Sequence, residues 1–539
     1  MRGLMMDYQL LVPAIVRRAA ALYGAKTVVS RRQDRTLARL TGNEVVSRIY
    51  RLAAALKQLG VAPGDRVATL AWATHQHLEA YLAIPSIGAV LHTLNLRLHP
   101  DDLAYIINDA NDRVLILDEC LLDLWEKVRP HVSVEHVIVI PTAGRLASER
   151  AGGLDYEQLL QASEPSGELW EGDERHAAAM CYTSGTTGRP KGVLYSHRSI
   201  VLHSLAEGLQ DCLAFSERDT VLPIVPMFHV NAWGIPFSAM MFGSNQVFPG
   251  PYLDAKSVLE LLTEERVTMT AGVPTVWLGV LQELDANPGL YDLSALRAVF
   301  IGGSAAPPSL IRGFKERHGI DVVHVWGMTE LSPLGTVGAL PKSLCGAPLD
   351  DQMRFRRKQG VPSPLVEIRA RSENGFVPWD GQTMGELEVR GPWVASQYYN
   401  VTGADDRFTE DGWFKTGDIV TIDGCGCIEL TDRAKDLVKS GGEWISSVAL
   451  ETALMGHPCV AEAAVVAVPH PKWDERPLAV VVMKPGQSAT AEQLLSFIAP
   501  QFAKWWLPDA VEFASEIPRT SVGKFKKSVL REQFRDRYS

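Results

Sequence analysis

With 539 residues, the chain is too long for one compact core and calls for at least two domains. Its 46 % hydrophobic and 22 % charged residues are those of an ordinary globular protein and exclude a disordered or fibrous one. A net charge of -10 gives no ground for nucleic-acid binding and repels polyphosphates, so a nucleotide site has to be built locally from Lys, Arg and backbone N–H groups.

In chain order, Asp7, Pro13 and the pair Arg17-Arg18 interrupt the N-terminal apolar residues, so no signal peptide is expected. From Gly42 to Leu59 apolar positions recur at helical spacing (Val45, Val46, Ile49, Leu52, Ala55, Leu56), and Gly60 stops the helix. A strand at 66–70, a helix near 76–89 and strands at 113–118 and 137–140 follow. This alternation predicts parallel sheets covered by helices. The longest apolar stretch, about 80–94, carries Pro85 and His92 and is too short to span a bilayer. Beyond about residue 350, period-two patterns at Val366–Arg369 and Gly385–Val389 predict a small, partly antiparallel β subdomain. After Asp432 a helix (446–455), two strands (463–468 and 478–483) and a further helix (491–499) read as a separate unit. The fold class is therefore α/β. A large N-terminal domain, 1–432, holds two helix-covered sheets and a β subdomain; a small mobile α+β domain, 433–539, follows. The seven cysteines are scattered and lack zinc-site spacing, so they read as reduced thiols of a cytoplasmic protein with no integral membrane segment.

The strongest chemical signal is Tyr182-Thr183-Ser184-Gly185-Thr186-Thr187-Gly188-Arg189-Pro190-Lys191-Gly192. Its glycines let the backbone approach an anion, its hydroxyls donate to phosphate oxygens, and Lys191 brings positive charge. It is not a Walker A loop, because Lys191 follows Pro190 and Gly192 replaces the required Ser or Thr.

This run resembles the phosphate loop of the adenylate-forming (ANL) superfamily, which includes acyl-CoA synthetases, amino-acid adenylation domains and beetle luciferases. The other motifs of that family follow in order. They are Pro226–Gly234 (PMFHVNAWG), Gly302–Pro307 (GGSAAP), Trp326–Glu330 (WGMTE), Gly412–Asp418 (GWFKTGD), Asp432–Asp436 (DRAKD) and Pro518–Lys524 (PRTSVGK). The stretch Phe228–Gly234 is most similar to medium- and long-chain fatty acyl-CoA ligases and to bacterial ligases for 3-(methylthio)propionate.

The resemblance implies ATP, Mg²⁺ and coenzyme A as cofactor and co-substrates, and it assigns expected roles. Thr183, Ser184, Gly185, Thr186, Thr187, Gly188 and Lys191 would hold phosphates. Gly303, Ser304, Ala305, Trp326, Gly327, Met328 and Thr329 would line the adenylate. Glu330, with Thr186, would hold Mg²⁺; Asp418 would bind the ribose, and Arg433 the ribose or phosphate. Lys524, with His229 and Glu330, would be catalytic. Lys435 would be the hinge, after which Gly441, Gly442 and Glu443 would face the pantetheine arm. His229, Trp233, Gly302, Gly303 and Pro333 would border the acyl group. Many relatives carry Tyr where Trp326 stands, so stacking on adenine is kept but a phenol contact is lost.

Between Pro226 and Gly250 there is no Asp, Glu, Lys or Arg. An amino-acid substrate would need a carboxylate there to pair its ammonium, whereas an apolar tail gains ~0.8 kcal/mol per buried CH₂. The expected activity is an ATP-dependent acyl-CoA ligase acting on a short- or medium-chain apolar acid. The alternatives are a long-chain fatty acyl-CoA synthetase and an enzyme loading a carrier protein in trans, since no carrier domain follows Ser539. Small-molecule acid, ATP and CoA are the expected partners. A second copy of the chain is a further possible partner.

Overall fold

The computed structural model describes residues 1, 3–142, 147–165, 167–183, 189–401, 405–441, 443–519 and 525–538, with the side chains of 147, 148 and 443 left aside. A seven-stranded sheet runs in the order Leu154–Asp155, His136–Ile140, Asp112–Asp118, Arg66–Leu70, Val90–Thr93, Ala177–Tyr182, Gly192–Ser196. It is parallel except for its last pair, Ala177–Tyr182 with Gly192–Ser196, which forms a hairpin. A nine-stranded sheet is parallel at its centre, where Thr220–Pro223, Met269–Gly272, Ala298–Ile301 and Val322–Gly327 lie side by side. Its edges are antiparallel. Leu334–Val337 turns straight back on Val322–Gly327 with no room for a crossover helix, and Thr27–Arg31 pairs with Leu37–Thr41 in the same way.

The helix His75–Ser86 packs against strands of both sheets. Apart from Gln76 all its side chains are buried, the polar His75, His77, Glu79 and Ser86 among them, so it has no solvated face. By contrast Gly42–Gln58 is amphipathic and starts on a capping box between Thr41 and Glu44.

A third, antiparallel sheet of five strands ends on Phe414–Ile422 and Ile428–Arg433. From Arg433 the chain passes to Val438–Ser440, in a separate sheet with Glu443–Ile445, Val460–His470, Asp474–Met483 and Ala510–Phe513. Helices Ser447–Met455, Ala491–Ile498 and Lys527–Gln533 accompany this last sheet, which encloses apolar clusters of its own around Val465 and Val480. Among the described residues no helix is long and apolar enough to cross a membrane.

Candidate active site

The expected phosphate loop joins the two strands of the hairpin, whose last register pair is Tyr182 with Gly192. Its two ends are tied together. The Thr183 N–H donates to the Lys191 carbonyl at 2.9 Å, and the Lys191 N–H donates to Thr183 Oγ1 at 3.1 Å. Ser184, Gly185, Thr186, Thr187 and Gly188 lie outside the described residues. Lys191 Nζ pairs with Asp405 Oδ2 at 2.9 Å.

Trp326 and Gly327 end the strand Val322–Gly327 at its carboxyl edge, next to Gly302 and Gly303, which follow Ala298–Ile301. Gly303 takes φ 83°, where a side chain is strained, and Ser304 is exposed beside a half-buried Ala305. The Ala306 N–H donates to His324 Nε2 at 3.4 Å; burial pushes the His324 pKa down to about 4, so the ring accepts as a neutral imidazole. Gly327 is required by packing, since a Cβ there would lie 2.1 Å from the Pro333 carbonyl oxygen. That carbonyl also accepts from the Met328 N–H at 3.2 Å, and the Thr329 carbonyl accepts from the Tyr195 hydroxyl at 2.7 Å. Glu330 is buried, with Oε1 accepting from the Tyr398 hydroxyl at 2.5 Å.

Asp418 is fully buried on the strand Phe414–Ile422, directly across from Arg433. The Trp326 indole donates to its Oδ2 at 2.8 Å. Arg433 Nε stands 2.6 Å from Oδ1, but this is a charge contact only, since Oδ1 accepts no hydrogen bond from the described residues.

His229, half-buried, opens an irregular turn in which Val230, Asn231, Ala232 and Trp233 have φ of 47, 51, 50 and 59°. A run of left-handed residues, one of them β-branched, persists only where surrounding packing over-determines it. Here all four are buried. Trp233 packs on Gly302, where a Cβ would come within 3.0 Å of its Cη2 and 2.8 Å of a Val325 methyl. The charge-free reading of this segment needs one correction, because the fold brings a carboxyl group in from the helix His197–Glu207. Glu207 Oε2 accepts from Ser238 Oγ at 2.5 Å. Burial pushes the Glu207 pKa up to about 8, so at neutral pH it is protonated and offers no counter-ion to an ammonium.

In the C-terminal unit Lys435 is exposed and its carbonyl accepts from Arg531 Nη1 at 2.9 Å. Gly441, at φ 61°, donates its N–H to the Trp473 carbonyl at 2.9 Å, and Ser440 pairs with Glu443 across a short hairpin. Gly442 and Lys524 lie outside the described residues.

Two family models match this chain, "AMP-binding enzyme" over residues 16–399 and "AMP-binding enzyme C-terminal domain" over 449–524. The chain belongs to the AMP-binding enzyme family. A long-chain-fatty-acid–CoA ligase of Thermus thermophilus is 50 % identical to it, covering 99 % of this chain and 97 % of the relative. A 3-methylmercaptopropionyl-CoA ligase of Ruegeria pomeroyi is 45 % identical, covering 99 % of both. Among solved structures, an anthranilate CoA ligase in complex with anthranoyl-AMP superposes with a TM-score of 0.86 at 25 % identity, covering 98 % of each chain.

The residues of this AMP-binding enzyme fit the groups that its family handles. Asp418 Oδ1 is a buried acceptor with an unmet hydrogen bond, suited to a hydroxyl donor. Glu330 offers carboxylate oxygen to a hard cation. Among the described residues no cluster of three or more His, Cys, Asp or Glu could hold a metal. Sequence reasoning missed Tyr398, Asp405 and Glu207. Each lies outside the recognised motifs, and only long-range folding brings it in.

Proposed function

We propose that this chain is an AMP-forming acid–thiol ligase that converts a short- or medium-chain apolar carboxylic acid, such as a fatty acid or 3-(methylthio)propionate, to its CoA thioester. The observation that carries the reading is Gly302, whose bare α-carbon meets Trp233 of the acyl segment on one side and Val325, next to Trp326, on the other. The acyl segment and the nucleotide strand thus meet at the carboxyl edge of neighbouring parallel strands, where α/β sheets bind ligands.

In the first half-reaction a carboxylate oxygen attacks the α-phosphorus of ATP, the bond to the bridging oxygen breaks and pyrophosphate leaves. In the second, the CoA thiolate attacks the acyl carbon and AMP leaves. Two anions must meet in the first step, so charge neutralisation and positioning dominate. Lys191 and the Thr183–Gly188 loop hold phosphates, and Asp418 with Arg433 fixes the ribose. Gly303 to Ala305 and Gly327 to Thr329 flank the adenylate, with Trp326 against the base. His229 orients the carboxylate, and Trp233 and Pro333 bound the acyl group. Lys524 bridges carboxylate and α-phosphate. Mg²⁺, when bound by Glu330 and Thr186, supplies further neutralisation of the phosphates.

The division into residues 1–432 and a mobile 433–539 belongs to the same reading, with Lys435 as hinge and Gly441–Glu443 delivered to the pantetheine arm. The seven free cysteines favour a cytoplasmic setting, and the exposed Leu4, Met5, Met6 and Tyr8 favour a homodimer, which sedimentation velocity tests.

The deciding experiment is a panel of acids of increasing length with ATP and CoA, reading AMP and acyl-CoA together. Equal amounts of both, peaking at short or medium lengths, are expected. A peak at long lengths favours the long-chain reading, to which the 50 % identity with the Thermus ligase lends weight. AMP release without acyl-CoA favours a carrier-protein acceptor.

A further inference from the structure

Between the strands Gly385–Arg390 and Phe414–Ile422, the segment Trp393–Tyr399 carries none of the motif residues, yet it grips them from two sides. Trp393 Nε1 donates to the Leu334 carbonyl at 2.9 Å, and Ser332 Oγ donates to the Trp393 carbonyl at 2.9 Å. The Ala395 N–H donates to the Glu330 carbonyl at 2.7 Å. On the other side the Tyr399 N–H donates to the carbonyl of Gly192, the residue after Lys191, at 2.8 Å. Tyr398 stands between these two sets. Its hydroxyl donates to Glu330 Oε1 at 2.5 Å, and the Lys191 ammonium lies 4.5 Å from its ring centroid. The ring is 4 % exposed and packs edge-on against Phe408 at 5.9 Å.

A carboxylate that accepts one short, charge-assisted hydrogen bond has its plane fixed and keeps its other lone pairs for a cation. A ring face beside an ammonium fixes that charge as well.

We propose that Tyr398 is a positioning residue. Its hydroxyl sets the orientation in which Glu330 meets a hard divalent cation on ATP, and its ring face backs the Lys191 ammonium, which Asp405 pairs. The phosphate lysine and the metal carboxylate, distant in sequence, thereby touch one side chain. This rests on the reading of Glu330 as the Mg²⁺ residue of an ATP site.

The test uses wild type, Tyr398→Phe, Glu330→Gln and the double variant. Free Mn²⁺ is followed by electron paramagnetic resonance at saturating non-hydrolysable ATP analogue. Partners behind a metal ligand carry about tenfold to a hundredfold in metal affinity, so Tyr398→Phe should raise the half-saturating Mn²⁺ about tenfold. It should add nothing in the Glu330→Gln background. An unchanged midpoint in Tyr398→Phe, or an equal further loss in the double variant, overturns the proposal. Should Tyr398→Phe fold poorly, 3-fluorotyrosine at position 398 keeps the packing. Its fluorine resonance should then move with Mg²⁺ at saturating ATP, and an unmoved resonance is an overturning result too. A wild type that holds the analogue equally with and without metal overturns the reading of Glu330 as the Mg²⁺ residue, and this proposal with it.

Discussion

The indole nitrogen of Trp326 donates to Asp418 Oδ2 at 2.8 Å, so the residue expected to stack on adenine also holds the carboxylate expected to bind ribose. Trp326→Phe keeps a flat ring but leaves a buried carboxylate oxygen unpaired, at a cost of ~1–3 kcal/mol. Calorimetric titration with ATP should show affinity falling on the order of tenfold, with a lowered melting temperature. Unchanged affinity and melting would remove Trp326 from the ribose side of the site.

Lys524→Ala should abolish adenylation and largely spare thioester formation from supplied acyl-AMP. The grounds are its place at the end of the Pro518–Lys524 motif. Half-reactions measured separately, in a variant whose circular dichroism is unaltered, check this. Equal loss in both would contradict the assigned role.

Trp233→Ala should move the preferred acid to greater length. Each additional buried CH₂ contributes up to ~0.8 kcal/mol, about fourfold in kcat/KM. Short acids should lose affinity in the enlarged cavity. Because Trp233 packs on Gly302, Gly302→Ala should act oppositely and shorten the profile or block it. A parallel loss at all lengths in Trp233→Ala would show a purely structural indole.

Glu207 gives a pH-dependent prediction. Its folded pKa is raised to about 8 by burial, well above that of an exposed carboxyl group. Between the unfolded pKa, ~4.5, and 8 the folded state binds more protons, so its contribution falls as pH rises and levels off above 8. Glu207→Gln removes that loss. Thermal melts should show the variant gaining on wild type from pH 5 to 8, and a pH-independent difference would mean that Glu207 is not held protonated.

Local signals were legible where they rest on periodicity or caps. The helix read from Gly42 to Leu59 spans Gly42–Gln58, and the strand read at 463–468 runs over Val460–His470. The order of motifs carried the family. The left-handed turn was not legible, because among Val230–Trp233 only Asn231 tolerates positive φ readily, and tertiary packing decides the rest. Glu207 was missed because a charge-free stretch in sequence says nothing about which side chain another helix points into it. Tyr398 sits on a loop without periodicity, and its value lies in contacts to residues 191, 192 and 330 that only the fold supplies.

The grip of the Trp393–Tyr399 loop on Gly192, Glu330, Ser332 and Leu334 also bears on how this enzyme can be recombined with its relatives. A chimera that takes its acyl pocket from another ligase with a crossover between 335 and 392 would join a foreign Glu330 segment to a native loop. Such hybrids should express and fold yet turn over slowly, because the mismatch falls on alignment rather than on the core. Moving residues 192, 329–334 and 393–399 from one parent together keeps the inherited contacts intact and marks where gene blocks should be cut.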